Sequence, residues 1–169
     1  MFKLFVKMIT AGVVTEPPPE DADIAALGAE LKRQVDEQFH GSIAIRQVDA
    51  GSCNACELEI HALNNPYYGV ERYGVHFVAS PRHADVLLVT GPVSRHMEEA
   101  LKRTYEAMPE PRWVIASGAC AIDGGPFGES YATVGGVYRV IPVDLSIPGC
   151  PPSPRQLLAG LLALMQSRA

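Results

Sequence analysis

Apolar and polar positions follow two rhythms along the chain, and the change falls near residue 40. Before it, apolar residues recur at helical spacing. Phe2, Phe5, Val6 and Ile9 share one face of a first helix whose other face carries Lys3, Lys7 and Thr10. Pro17, Pro18 and Pro19 stop that helix. Glu20, Asp21 and Asp23 then supply N-cap candidates for a second helix, marked by Ile24, Leu27, Leu31, Val35 and Phe39. Residues 1–40 therefore read as an N-terminal amphipathic arm outside the main fold, and residues 41–169 as one α/β domain. A dozen residues at about 1.5 Å each fall short of a hydrocarbon core about 30 Å thick. The first helix suits a membrane surface, a partner or the chain's own domain.

From residue 43 short β-rich runs alternate with helical stretches. Ile43–Val48, Val75–Val78, Val86–Thr90, Trp113–Ala116 and Tyr138–Val143 read as strands. Several are apolar at consecutive positions, the mark of strands buried on both faces of a parallel sheet. Ser94–Met108 is the clearest helix, with Met97, Leu101, Tyr105 and Met108 along one side. Its outer face carries the pairs Arg95 with Glu99 and Glu98 with Lys102 in i,i+4 register. The last helix, Ser153 to Ser167, is apolar over too broad a surface for one side to face water, so burial on two sides or against another subunit is expected. The alternation implies right-handed crossovers and a doubly wound parallel sheet.

Composition narrows the function classes. The 169 residues suit one domain with a short extension. A net charge of −5, with both signs interspersed, offers no track for phosphates, so nucleic acid is not an expected partner. At 47% hydrophobic and 20% charged residues the chain has the material for a core. Four cysteines, with no signal-peptide pattern ahead of them, point to reduced thiols or ligands rather than a disulfide scaffold. No glycine fingerprint follows the first strand and there is no phosphate loop, so no nucleotide cofactor is expected.

Cys53, Cys120 and Cys150 each follow a predicted strand, and Cys56 shares the first loop. In an open parallel sheet the carboxyl ends of the strands point to one edge, where ligands bind. Four thiolates there accommodate three chemistries. A 4Fe-4S cluster takes one thiolate per iron, and a Cys-x-x-Cys pair with two remote cysteines can supply them. Structural zinc also accepts four cysteines but more often uses two short pairs. A thioredoxin-like disulfide would use Cys53 and Cys56 and leave Cys120 and Cys150 without a role. The neighbours favour the cluster. Gly51, Gly118 and Gly149 let the backbone approach a bulky inorganic core, Pro151 and Pro152 stiffen the last loop, and N–H groups at the helix start near Cys56 suit an anionic group. Gly124 and Gly125 read as a turn. Zinc, a redox pair and unconnected core cysteines stay open on spacing alone.

The blocks GSCNACELEI (51–60), SPRHADVLLVTGPVSR (80–95), GACAIDGGPF (118–127) and PVDLSIPGCPPSPRQLLAGLLAL (142–164) resemble the small iron-sulfur subunit shared by respiratory complex I and the membrane-bound nickel-iron hydrogenases. The likeness runs from about residue 43 to 165. It implies a flavodoxin-like domain in which Cys53, Cys56, Cys120 and Cys150 bind one 4Fe-4S cluster beside a catalytic large subunit. Complex I members generally carry two adjacent cysteines in the first block. Here Asn54 and Ala55 separate them, so the hydrogenase-like branch is closer.

The implied role is electron transfer within a multi-subunit oxidoreductase, with no catalysis by this chain alone. Bond chemistry then belongs to a nickel-iron centre in the large subunit or, in the complex I type alternative, to a quinone pocket between subunits. A zinc-bound docking module is the remaining alternative. The implied partners are the large subunit, a ferredoxin-like iron-sulfur subunit and membrane subunits. The implied location is cytoplasmic, peripheral on the inner face of a membrane. Glu59 falls where the family often has an acidic residue behind the first ligands. With Arg82 and His83 of the second block it is a candidate for a supporting role around the cluster. His40, His61, His76 and His96 show no ligand spacing. Arg155 stands where many relatives have an acidic residue and Ala55 where they often have glycine; neither is a ligand.

Overall fold

The computed structural model describes residues 21–167 together with Val6 and Thr10. The remainder of the expected first helix, including Phe2, Phe5 and Ile9, lies outside the described residues.

Among the described residues the strands are β1 (Ile43–Asp49), β2 (Val75–Phe77), β3 (Val86–Thr90), β4 (Val93–Ser94), β5 (Trp113–Ser117), β6 (Thr133–Gly135) and β7 (Leu145–Ile147). The helices are α1 (Ala22–Phe39), α2 (Ala55–Ala62), α3 (Arg95–Glu106), α4 (Ala119–Asp123) and α5 (Pro154–Gln166). Five strands make one sheet in the order β2-β1-β3-β5-β7, every neighbouring pair parallel. The strand order reverses between β1 and β3, the arrangement of flavodoxin-like folds. β4 and β6 pair antiparallel in a separate ribbon.

β3 shows why the sheet is covered on both sides. All five of its residues are buried. Val86 and Leu88 pack into one core with α1, α2 and α5, while Leu87 and Val89 pack into a second with Leu101 of α3 and Ala121 of α4. Side chains alternate across a strand, so a run apolar at every position needs an apolar layer on each face.

The second helix of the expected arm is a layer of this core. Asp21 caps it, its side chain accepting from the backbone N–H groups of Asp23 and Ile24. Ile24, Leu31 and Val35 are buried with Leu157, Leu158, Leu161 and Leu164 of α5. The breadth of apolar surface on α5 follows, since one side meets the sheet and another meets α1. Gly160 sets how closely α5 sits on β7: a Cβ there would stand 2.3 Å from Ile147 Cδ1. Arg155 pairs with Asp23 of α1 at 3.0 Å, an exposed link between the same two helices.

Two expectations change. Tyr138–Val143 is not a strand. Val137–Arg139 forms a 3-10 turn, and Val137, Val140, Ile141 and Val143 are spent on the α3/α4 side of the sheet. Pro142 has no N–H to give a ladder, and pairing with β5 begins only where Asp144 N–H donates to Val114 O. On α3, Glu98 pairs with Lys102 as expected, but Glu99 pairs with Arg103 while Arg95 donates to the carbonyls of Ser130 and Tyr131. An acid preceding its base by four positions is the better helical orientation.

Leu31 is 1% exposed within the shared core. Leu31→Ala should lower the unfolding free energy by about 2–5 kcal/mol in urea titrations. A helix lying outside the core would leave it unchanged.

Candidate metal centre

The rim of the sheet is set by register. Asp49 of β1 stands opposite Thr90 of β3, Thr90 opposite Ser117 of β5, and Ser117 opposite Ile147 of β7. Loops leaving these carboxyl ends emerge side by side. After β1, the Asp49 carboxylate accepts from Gly51 N–H (2.8 Å) and Ser52 N–H (2.7 Å), curling the loop that carries Cys53 back over the strand end. Cys56 follows in the first turn of α2. After β5, Gly118 N–H donates to Ile147 O and Ala119 N–H to Gly149 O, which fastens the Cys120 loop to the Cys150 loop.

Cys53, Cys56, Cys120 and Cys150 line one hollow, with Gly91 and Gly149 between them. Cys56 is buried, Cys120 half-buried, and Cys53 and Cys150 exposed; all four are free thiols. Burial pushes the Cys56 thiol up to about 11, and the Glu57 carboxylate and the other three sulfurs add to it. Burial raises Cys120 as well, with Cys150, Cys53 and Asp123 acting the same way. Cys56 and Cys120 are thus within electrostatic reach of the other sulfurs, whose charge disfavours their own. A cation among them reverses that penalty, because metal ligation takes the thiolate form.

Four thiolates are a donor set that either a zinc ion or a 4Fe-4S cluster takes. A single tetrahedral ion needs each sulfur about 2.3 Å from one point. Among the described residues no group of three or more His, Cys, Asp or Glu side chains stands ready to hold a metal ion of either kind. A 4Fe-4S cluster spreads its thiolates over four irons. The backbone leaves space toward the sulfurs: Gly118 has φ +88°, and a Cβ on it would stand 2.8 Å from Cys56 Sγ. Gly125 does the same for Cys120 Sγ at 3.0 Å, although its sequence reads as a turn. Gly51 and Gly149 do not serve this purpose. A Cβ on Gly51 would meet Pro92 O and Ser94, and one on Gly149 the Cα of Pro152.

Of the supporting candidates, Glu59 is half-buried on α2. Arg82 and His83 are exposed on the 3-10 turn Pro81–His83, ahead of β3. They sit at the amino end of that strand, about 13 Å of β-structure from the rim, and the structure does not bring them to the sulfurs. His40, His61, His76 and His96 are at the surface. The residue that sequence reasoning missed is Glu57. It is 7% exposed, and its carboxylate accepts from Ser52 Oγ (2.7 Å) and from the hydroxyl of Thr90. Helical spacing held the signal: Glu57 lies three positions before the buried Ile60 and beside the buried Cys56, whereas Glu59 falls off that stripe. Ser117 is also buried, next to Thr90 in register, and its hydroxyl has no partner among the described residues.

Residues 53–164 match the family described as NADH ubiquinone oxidoreductase, 20 Kd subunit. The chain belongs to this family. The probable membrane-bound hydrogenase subunit mbhJ of Pyrococcus furiosus is 49% identical over 122 residues, which is 72% of this chain and 73% of that protein. Formate hydrogenlyase subunit 7 of Escherichia coli is 41% identical over 150 residues, 89% of this chain and 57% of that protein. A chain in the structure of the membrane-bound sulfane sulfur reductase, an archaeal respiratory membrane complex, matches with a TM-score of 0.66 at 31% identity, covering 85% of this chain and 74% of that one. These relatives are subunits of multi-subunit oxidoreductases, and the 20 Kd family member described here is a protein of that kind. Among its described residues no helix is long and apolar enough to cross a membrane.

The thiolate is the form that alkylates, so a raised pKa slows the reaction and rising pH restores it. In chelator-treated chain at about pH 8, limiting iodoacetamide should label exposed Cys53 and Cys150 first and Cys56 last, with Cys56 labelling accelerating toward its pKa of about 11. Peptide mass spectrometry reads the order, and Cys56 labelling as fast as Cys53 would contradict it.

Proposed function

We propose that this chain is the electron-transfer subunit of a membrane-associated, hydrogenase-like complex, holding one 4Fe-4S cluster on Cys53, Cys56, Cys120 and Cys150 beside a catalytic large subunit. The observation that carries the reading is the gathering of four cysteines from three distant loops around one hollow at the carboxyl rim. When bound, such a cluster takes up and releases single electrons. The chain's own residues supply the rest. The thiolates are the ligands, Gly118 and Gly125 keep side-chain atoms away from the sulfurs, and α2 begins at Ala55, between Cys53 and Cys56, where a helix amino end suits an anionic occupant.

The exposed side supports a docked partner. Cys53 and Cys150 face outward. Leu58, 61% exposed, follows Cys56, and Phe127 and Tyr131, 56% and 96% exposed, follow Cys120. Exposed apolar and aromatic side chains on the segments that carry the cysteines suit a protein interface, here with the large subunit. A ferredoxin-like iron-sulfur subunit is the proposed second redox partner. Membrane subunits then anchor the complex, with this chain peripheral on the cytoplasmic side. The Cys-x-x-Cys pair and the relatives named for membrane-bound hydrogenase and formate hydrogenlyase favour the hydrogenase branch. A quinone-reductase small subunit is the second reading, favoured by the family's own description.

Purified without oxygen, the complex should be brown, and this chain should carry iron and sulfide near four each. Serine at any one of the four cysteine positions should abolish or convert the cluster, read by the electron paramagnetic resonance spectrum of the reduced protein. A colourless chain holding one zinc instead would overturn the electron-transfer reading. Hydrogen evolution by the complex separates the hydrogenase branch from the quinone one.

A further inference from the structure

Buried polar side chains are few among the described residues, and they are not scattered. Of Gln34, Glu57, Thr90 and Ser117, the last three lie together behind the cysteines. Glu57 is the one buried carboxylate among them. Both of its oxygens are engaged, one by Ser52 Oγ at 2.7 Å and the other by the Thr90 hydroxyl. The Ser52 hydroxyl in turn accepts from Asn54 N–H at 3.0 Å, so its own proton is free for Glu57. Both partners are neutral, and among the described residues no cation pairs with Glu57.

Fastening alone does not call for a charge. A carboxylate loses much of its hydration on burial, and an apolar side chain would fill the same space without that cost. The clamp ties together three things: Ser52 of the first cysteine loop, the α2 turn that carries Cys56, and the end of β3 next to Gly91, which lines the hollow. We propose that Glu57 is a positioning residue that fixes Cys56 against the strand end, and that its uncompensated charge holds down the reduction potential of the group bound by the four cysteines. The proposal rests on the cluster reading above. Reduction adds negative charge at the site, and a fixed negative neighbour in a poorly hydrated position opposes it.

The test is a redox titration of the complex followed by electron paramagnetic resonance, comparing wild type with Glu57→Gln, Glu59→Gln and Ser52→Ala. Glu57→Gln keeps the size and can still bond both hydroxyls, its amide oxygen accepting from one and its amide N–H donating to the other, but removes the charge. It should retain iron and sulfide and move the midpoint to higher potential, with a shift that persists at high salt because the group is buried. Glu59→Gln, on the half-exposed side of the same helix, should give a smaller shift that salt diminishes. Ser52→Ala leaves the carboxylate with one donor fewer and should move the midpoint the other way. A purely structural role would change the unfolding transition and leave all midpoints together. A Glu57→Gln midpoint equal to wild type, or displaced no more than that of Glu59→Gln, overturns the proposal. Should Glu57→Gln fail to assemble, an unchanged Ser52→Ala midpoint overturns it equally. Wild-type chain without iron and sulfide defeats the cluster reading itself, and metal analysis shows that before any midpoint is measured.

Discussion

Parallel pairing is the constraint from which the site follows. Because β1, β3, β5 and β7 run the same way, their carboxyl ends share one rim, and whatever the chain places just after a strand is delivered there. Cys53 and Cys56 arrive from β1, Cys120 from β5 and Cys150 from β7, with Gly91 arriving from β3 between them. An antiparallel pairing of any of these strands would send its loop to the opposite edge. Proximity of residues nearly a hundred positions apart is therefore a property of the sheet, and the loops only refine it.

A parallel sheet must in turn be covered on both faces, and that requirement recruits the ends of the chain. On one face α1 and α5 pack on each other and on the sheet, so that α5, which begins four residues after Cys150, is anchored by a helix from the other end of the sequence. The contact of Gly160 with Ile147 places α5 directly on the strand that leads into the Cys150 loop. Packing of the terminal helices and placement of the fourth sulfur are thus one mechanical problem, which gives residues 22–39 a role in the site without touching it.

The parts of this arrangement that can be read in the sequence are those fixed by local pattern. β1, β3 and β5 announce themselves by β-branched apolar runs, α3 and α5 by their apolar pattern, and the cysteine loops by following strands. The fifth strand of the sheet was harder to read, because the apolar stretch Tyr138–Val143 has strand composition while Leu145–Ile147 has only three residues to show. Edge strands are short, and their identity is settled by what they pair with. The membership of α1 in the core was equally hidden, since an amphipathic stripe says that a helix is covered and not by what. Arg82 and His83 belong to a block that carries the family resemblance yet sit at the amino end of β3, whereas Glu57 sits at the rim behind a spacing argument that a more familiar acidic position, Glu59, obscured.

The site is asymmetric, and the asymmetry has electrostatic consequences. Cys56 is buried next to the Glu57 clamp, while Cys53 and Cys150 are exposed to solvent. Water on the open side screens charge, so the field of Glu57 is felt less there than on the enclosed side. On the proposed reading a docked subunit excludes that water. The same carboxylate then acts through a lower dielectric, and the potential of the bound group becomes a function of docking as well as of sequence. Electron transfer across such an interface is therefore tuned in part by the contact that permits it, and a potential measured on the isolated chain describes a different electrostatic environment from the one in the assembled complex.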